Sequence, residues 1–249
     1  MPLSPEYQAM LEQLARAKPA LPLWEMTPEQ GRAMYRLVRP VLKELPIGKI
    51  DNQIIHSPEA EIPIRIYYPE GEGPFGSLVY FHGGGWVIGD LDTGDAVCRE
   101  MSTLANVVVV SVGYRMAPEA LYPAAVEDSY AALEWVANNK LLLKANSKIG
   151  VIGESAGGNL SAVVVLKARD LNGPNIDFQC LVYPVTDWDL TRKSWSDNGT
   201  GYLLEARSMK WFWETYCPDE RKRMEPYASP LRGKRLENLP KALVVTAEF

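Results

Sequence analysis

The apolar positions of this chain change period twice. Between Ser4 and Val41 they keep helical spacing: Tyr7, Met10, Leu11 and Leu14 follow Ser4-Pro5, and Met34, Leu37, Val38 and Val41 follow Thr27-Pro28-Glu29-Gln30. A capping residue followed by proline starts a helix, because the first turn has no use for the missing amide and proline presets φ. Gln30 adds a capping box to the second start. Two amphipathic helices are therefore predicted ahead of any strand. Lys49 to Ile55 and Ile62 to Tyr68 are β-rich and partly alternating, with Ser57-Pro58-Glu59-Ala60 between them, which predicts two antiparallel opening strands. From Leu78 the strands become continuous apolar runs: Leu78–Phe81, Val107–Val112, Ile149–Ile152, Cys180–Val185 and Ala242–Thr246. Such runs need cover on both faces, which predicts an α/β domain with a mostly parallel sheet and helices on each side. Val126, Tyr130, Leu133 and Val136-Ala137 mark one buried helix face. Leu160, Val163-Val164 and Lys167-Ala168, in a helical run from Asn159 to Leu171, mark another.

The rhythm breaks from Asp187 to Tyr227, where Trp188, Trp195, Tyr202, Trp211, Phe212, Trp213 and Tyr216 accumulate. Two readings are open for this insertion. Its aromatics could be plain core packing. They could instead form a lid that offers an apolar pocket and keeps water from a reacting centre.

Composition narrows the class. A chain of 249 residues that is 47% hydrophobic can bury one large core, and its net charge of −5 gives no basic footprint for nucleic acid or an acidic membrane surface. No apolar run reaches the ~20 residues needed to span a bilayer. The N-terminus has acidic residues and no apolar h-region, so it does not read as a signal peptide. Cys98, Cys180 and Cys217 are odd in number and lack C-x-x-C spacing, the mark of reduced, buried thiols in a cytoplasmic protein. Asn198-Gly199-Thr200 matches a glycosylation sequon but reads as a loop. Gly83-Gly84-Gly85 lacks the Lys-Ser/Thr of a phosphate loop, and no dinucleotide fingerprint or metal cluster occurs, so neither a cofactor nor a metal is expected.

Two stretches carry chemistry. Gly153-Glu154-Ser155-Ala156-Gly157-Gly158 lies between the strand Ile149–Ile152 and a helix, where a G-x-S-x-G turn lifts its serine to the end of a parallel strand. The helix start then aims amides and a positive dipole end at developing negative charge. His82-Gly83-Gly84-Gly85-Trp86 follows the strand Leu78–Phe81, and a glycine-rich loop there lets backbone N–H groups approach an oxyanion. Each such donor is typically worth ~2.7–4 kcal/mol in the barrier. Ser155 is thus the candidate nucleophile and Gly83, Gly84 and Ala156 the candidate oxyanion hole, with His82, Gly85, Glu154 and Gly157 in support.

HGGGW, YRMAPE (114–119), YPAAVED (122–128) and GESAGGN together resemble the hormone-sensitive lipase-like group of α/β-hydrolases, over nearly the whole chain. The resemblance implies the α/β-hydrolase fold and an ester-hydrolysing serine enzyme of the carboxylesterase or acetyl esterase kind. It also implies a lid drawn from the N-terminal segment and from the insertion. On this reading residues 1–48 are N-terminal lid helices, 49–186 the hydrolase core, 187–228 the lid insertion and 229–249 a final core stretch. The expected partner is a small, uncharged, short-acyl ester, and homodimerisation of the complete protein stays open.

The same resemblance exposes a gap. Serine needs a base, and in this fold the order is Ser, then Asp or Glu, then His. The chain holds only His56 and His82, both ahead of Ser155. His56 reads as a surface residue of the opening strands, and His82 as a brace for the glycine loop. The aspartate implied by the resemblance would fall just past Phe249, and Glu248 stands two positions early for it. The expectation is a C-terminally truncated chain, nearly inactive as written, with an exposed sheet edge. Glu154 is expected to fix the turn, and Asp128 to pair near Tyr114-Arg115. Two alternatives use the same scaffold: an amidase or deacetylase, and a non-catalytic receptor that closes over a small molecule.

Overall fold

Seven strands form one sheet in the order β1-β2-β4-β3-β5-β6-β7, seen in a computed structural model that describes residues 3–17, 21–39, 41 and 45–248. They are β1 (Lys49–His56), β2 (Glu61–Tyr68), β3 (Phe75–Phe81), β4 (Val107–Val112), β5 (Ala145–Glu154), β6 (Phe178–Val182) and β7 (Lys241–Val245). β1 pairs antiparallel with β2, and β2 with β4. From β4 through β3, β5 and β6 to β7 every pairing is parallel. The reason is visible on β4, where Val108, Val109, Val110 and Val112 are all fully buried. Side chains alternate across the pleat, so a strand buried at every position must have cover on both faces.

That cover divides in two. On one face α4 (Ala124–Asn138) and α5 (Ala156–Asp170) pack Val126, Leu133, Leu160 and Val163 against Val79, Phe81, Val108 and Val110. On the other, α3 (Asp95–Ala105) sets Cys98 among Tyr67, Tyr80, Val109 and Ile152. The sequence pattern gives no sign of α3. Its cap, Gly94, offers no side-chain hydrogen bond, and its inner face carries a buried ion pair, Asp95 to Arg99 at 2.6 Å, where periodicity looks for apolar residues. All three cysteines are buried and free. β6 also ends earlier than its apolar run, at Val182. Tyr183 turns into the left-handed region (φ 34°), and Val185 leaves the sheet to donate to the Ser155 carbonyl. At the sheet's end, every residue of β7 is exposed.

The N-terminal helices are α1 (Pro5–Ala17) and α2 (Pro28–Val38), the latter started by the expected Thr27/Gln30 capping box. The side chain of Leu14 lies outside the described residues. The expected apolar stripe of α2 is corrected: Leu37 is 82% and Val38 67% exposed. The helix docks instead through buried Gly31 and through Arg32, whose guanidinium donates to Val87 O at 2.8 Å and Ala117 O at 2.9 Å and grips Glu119 with two bonds of 2.7 Å. Charged groups won the interface because the surface beneath presents carbonyls and carboxylates.

The insertion carries α6 (Lys193–Asn198) and α7 (Ala206–Tyr216). Its aromatics divide between the two readings. Phe212, Trp213 and Tyr216 are buried in the main core, whereas Trp188, Trp195 and Trp211 only lean on it. Trp86 is fully buried against this group, stacked on Tyr216 at 4.3 Å and tilted to Trp213 at 4.8 Å. Trp213→Ala is therefore expected to lower unfolding stability by about 3–5 kcal/mol, the usual cost of deleting a buried large aromatic. Urea denaturation of the two proteins measures it, and a loss below ~1 kcal/mol would mean that the insertion is not part of the core.

Candidate active site

Ser155 stands between the last residue of β5 and the first of α5 with φ 55° and ψ −116°. A non-glycine residue in such a conformation costs of order 1–3 kcal/mol and persists only where its neighbours over-determine it. Here they do. The Ser155 amide donates to Val182 O at 2.9 Å, and its carbonyl accepts from Asn159 N at 2.9 Å and Val185 N at 3.1 Å. The Asn159 side chain then donates to Val185 O at 2.8 Å and Ala228 O at 2.9 Å, tying the turn to both ends of the insertion.

Glycine makes the approach of the next element possible. A Cβ at Gly157 would lie 1.9 Å from Phe81 O, and one at Gly153 would lie 2.3 Å from Gly157 O. The start of α5 thus packs backbone to backbone on the end of β3, where the glycine loop begins. In that loop Gly84, Gly85 and Trp86 have φ of 117°, 59° and 59°. A Cβ at Gly84 would meet Ile88 O at 2.1 Å, and one at Gly85 would enter the Phe212 ring at 2.2 Å. The loop is closed by Val87 N and Ile88 N, which donate to Gly84 O at 3.1 and 2.9 Å.

His82 braces this loop from below. It is fully enclosed, stacks on Tyr114 at 4.3 Å, and its Nδ1 lies 2.8 Å from Gly83 O, the geometry of an N–H donor. Tyr114 OH donates to His82 O at 2.8 Å. Burial lowers the His82 pKa below the ordinary histidine range, so the ring is neutral, and among the described residues its Nε2 has no partner. It makes no hydrogen bond to Ser155. His56 is elsewhere, 74% exposed on β1 beside Glu61 at 3.4 Å.

The oxyanion assignment needs one correction. The Gly83 amide, expected among the donors, points to Glu154 Oε1 at 3.2 Å. A carboxylate oxygen held permanently alongside outcompetes a carbonyl oxygen that gains charge only during reaction. Among the described residues the Gly84, Gly85 and Ala156 amides have no hydrogen-bond partner. Glu154 is buried and also accepts from Tyr80 OH at 2.9 and 3.0 Å and from Arg39 Nη1 at 2.9 Å. Burial, with the Glu154 charge second, pushes the Tyr80 phenol well above its ordinary range, so it stays a donor. Arg39, Tyr80 and Tyr114 are residues that sequence reasoning missed as members of this site, and nothing in their spacing signals it. Asp128 behaves as expected, accepting from Arg115 N at 2.8 Å and from its guanidinium at 2.8–3.1 Å. Glu248 lies past β7, where its carbonyl accepts from Asn198 Nδ2 at 3.4 Å.

Comparison with known proteins identifies the family and the fold. Residues 78–249 match a family described by the α/β-hydrolase fold. Esterase LipI of Mycobacterium tuberculosis is 39% identical over 225 residues, covering 85% of this chain and 70% of LipI. The carboxylic ester hydrolase LipN of the same organism is 43% identical over 202 residues, 78% of this chain and 54% of LipN, so the chain spans little more than half of that relative. The hyperthermophilic esterase of Pyrobaculum calidifontis superposes with a TM-score of 0.93 at 38% identity, over all of this chain and 81% of that one.

Two outcomes test the site's construction. Gly157→Ala places a methyl group against Phe81 O and is expected to unfold the chain or force the two turns apart, read by circular dichroism and by loss of Ser155 reactivity. For His82 the folded pKa lies below the unfolded one, so the unfolded chain binds the extra proton first. Stability should then fall as pH drops below ~6.5, by at most ~1.4 kcal/mol per pH unit, and level off below the folded pKa. Urea titrations of the parent and His82→Gln at pH 7.5, 6.5 and 5.5 isolate this effect. A stability difference between them that does not change with pH would contradict it.

Proposed function

The chain belongs to the α/β-hydrolase family, and on that premise we propose that it is a carboxylic ester hydrolase working through an acyl-serine intermediate at Ser155. The observation that carries the reading is a strained serine flanked by unpaired amides. Ala156 is the next residue in the chain, and Gly84 follows a glycine whose added Cβ would sit 3.0 Å from Glu154 O. Such donors are pre-aimed at negative charge that exists only in the transition state, which is where binding energy lowers a barrier.

Ser155 Oγ attacks the ester carbonyl carbon as its proton leaves. The carbonyl electrons move onto oxygen, and the amides of Gly84 and Ala156 donate hydrogen bonds to the oxyanion. Collapse breaks the bond to the alcohol, which departs with a proton and leaves acyl-Ser155. Water then attacks the acyl carbon and the acid is released. The dipole of α5, whose first residue is Ala156, favours the charge at each tetrahedral stage. Phe212 lies over Gly85, and α7 with α2 forms the lid in this reading; the apolar cover suits small uncharged esters. Relatives named as esterases favour this over an amidase or a non-catalytic receptor. Among the described residues no histidine is hydrogen-bonded to Ser155, so with these residues alone the proton passes to solvent or buffer and acylation is slow.

Incubation with p-nitrophenyl acetate followed by peptide mass spectrometry tests this. An acetyl group is expected on Ser155 and is expected to vanish in Ser155→Ala, with a rate no more than ~10³–10⁴-fold above water, the residue of catalysis that an oxyanion hole and binding sustain without a base. Equal acetylation of the Ser155→Ala protein at other residues, with none at Ser155 in the parent, would sink the reading.

A further inference from the structure

Helix α2 reaches both turns of the site. Arg32 and Arg36 stand one turn apart on α2, and Arg39 is the residue that caps its C-terminus. Arg32 holds Val87 O and Arg36 pairs with Asp90, both just past the glycine loop. Arg39 instead meets Glu154, the residue before Ser155, at 2.9 Å. The helix and its C-cap therefore bridge the two chain segments whose relative position sets the oxyanion hole.

Glu154 is the junction. Its Oε1 accepts from Arg39, from Tyr80 OH and from the Gly83 amide. That last bond fixes the orientation of the peptide leading into Gly84, the loop's unpaired donor. Tyr80 alone would anchor the carboxylate, because it contacts both oxygens. Arg39 adds the positive charge that keeps a carboxylate stable at 8% side-chain exposure. Ion pairs with a buried carboxylate seldom add net stability over an apolar packing of the same volume, so this half-buried pair points to specificity of arrangement.

We propose that Arg39 is a positioning residue for acyl transfer: acting through Glu154, it holds the Gly83 amide and so sets the Gly84 amide toward the oxyanion. The proposal rests on the reading of Ser155 as the acylated nucleophile. It makes α2 a part of the catalytic frame and not only a cover.

Arg39→Met keeps most of the volume and removes the charge, Arg39→Lys keeps the charge, and Arg36→Met loosens the same helix without touching Glu154. Each is compared with the parent chain by hydrogen exchange at the Gly83 amide, followed by NMR, and by the saturation curve for Ser155 acetylation with p-nitrophenyl acetate. Arg39→Met is expected to exchange Gly83 about tenfold faster and to lower the maximal acylation rate about tenfold, with the half-saturating concentration unchanged, as a misplaced donor does. Arg39→Lys should recover most of both losses, and Arg36→Met should change each less than about twofold. Equal effects from Arg36→Met and Arg39→Met, a change in half-saturation alone, or unaltered Gly83 exchange would each overturn the proposal. If the parent itself shows no acetyl-Ser155, the functional reading fails while the exchange measurement still decides whether Arg39 holds the loop. Should Arg39→Met not fold, Arg39→Lys against Arg39→Gln gives the same comparison with a polar side chain retained.

Discussion

The start of α5 touches the end of β3 through bare backbone, and the rest of the site depends on that contact. A Cβ at Gly157 would lie 1.9 Å from Phe81 O, so no other residue fits without parting the two segments. The close approach brings the serine turn and the glycine loop, 71 residues apart at Gly83 and Glu154, into hydrogen-bonding range. On the proposed reading, this nearness is what lets the free amides of Gly84 and Ala156 serve one oxyanion. A wider helix-sheet separation would leave two unrelated turns.

Holding them there is costly. Ser155, Gly84, Gly85 and Trp86 all have positive φ, and two of these are not glycine. The opposing forces come from different parts of the chain. Asn159 ties the serine turn to carbonyls at either end of the insertion, while Trp86, stacked on Tyr216, locks the far side of the loop into the main core. The insertion aromatics thus serve a purpose that neither reading of the sequence named by itself: buried packing that stabilises a strained loop, with Phe212 as its roof.

Electrostatics supplies a second level of order. Beneath the loop the buried polar groups are arranged so that charge is answered by charge or by strong donors, as with Glu154 between Arg39, Tyr80 and Gly83, and Asp128 under Arg115. Neutral His82 fits the same logic, since a protonated ring stacked on Tyr114 would lack an acceptor for its second N–H. Such groups tolerate few alternative arrangements, because each partner lost leaves a buried charge or donor unpaired.

The chain's own periodicity and motifs determined a great deal: the antiparallel opening, the parallel core strands, the serine between β5 and α5, the glycine loop after β3 and the pairing of Asp128 with Arg115. Those features rest on local physics, on strands buried on both faces and on glycines where backbone must approach backbone. What lies between distant segments was decided only by tertiary structure. The pattern passed over α3 because its inner face carries Asp95 and Arg99, and it misread α2 because ion pairs, not Leu37 and Val38, dock that helix. Gly83 changed from oxyanion donor to Glu154 partner, and Arg39 entered the site, because hydrogen bonds choose among groups brought together from afar. Spacing along a chain records the backbone's local needs; it holds no record of which carboxylate arrives beside which amide.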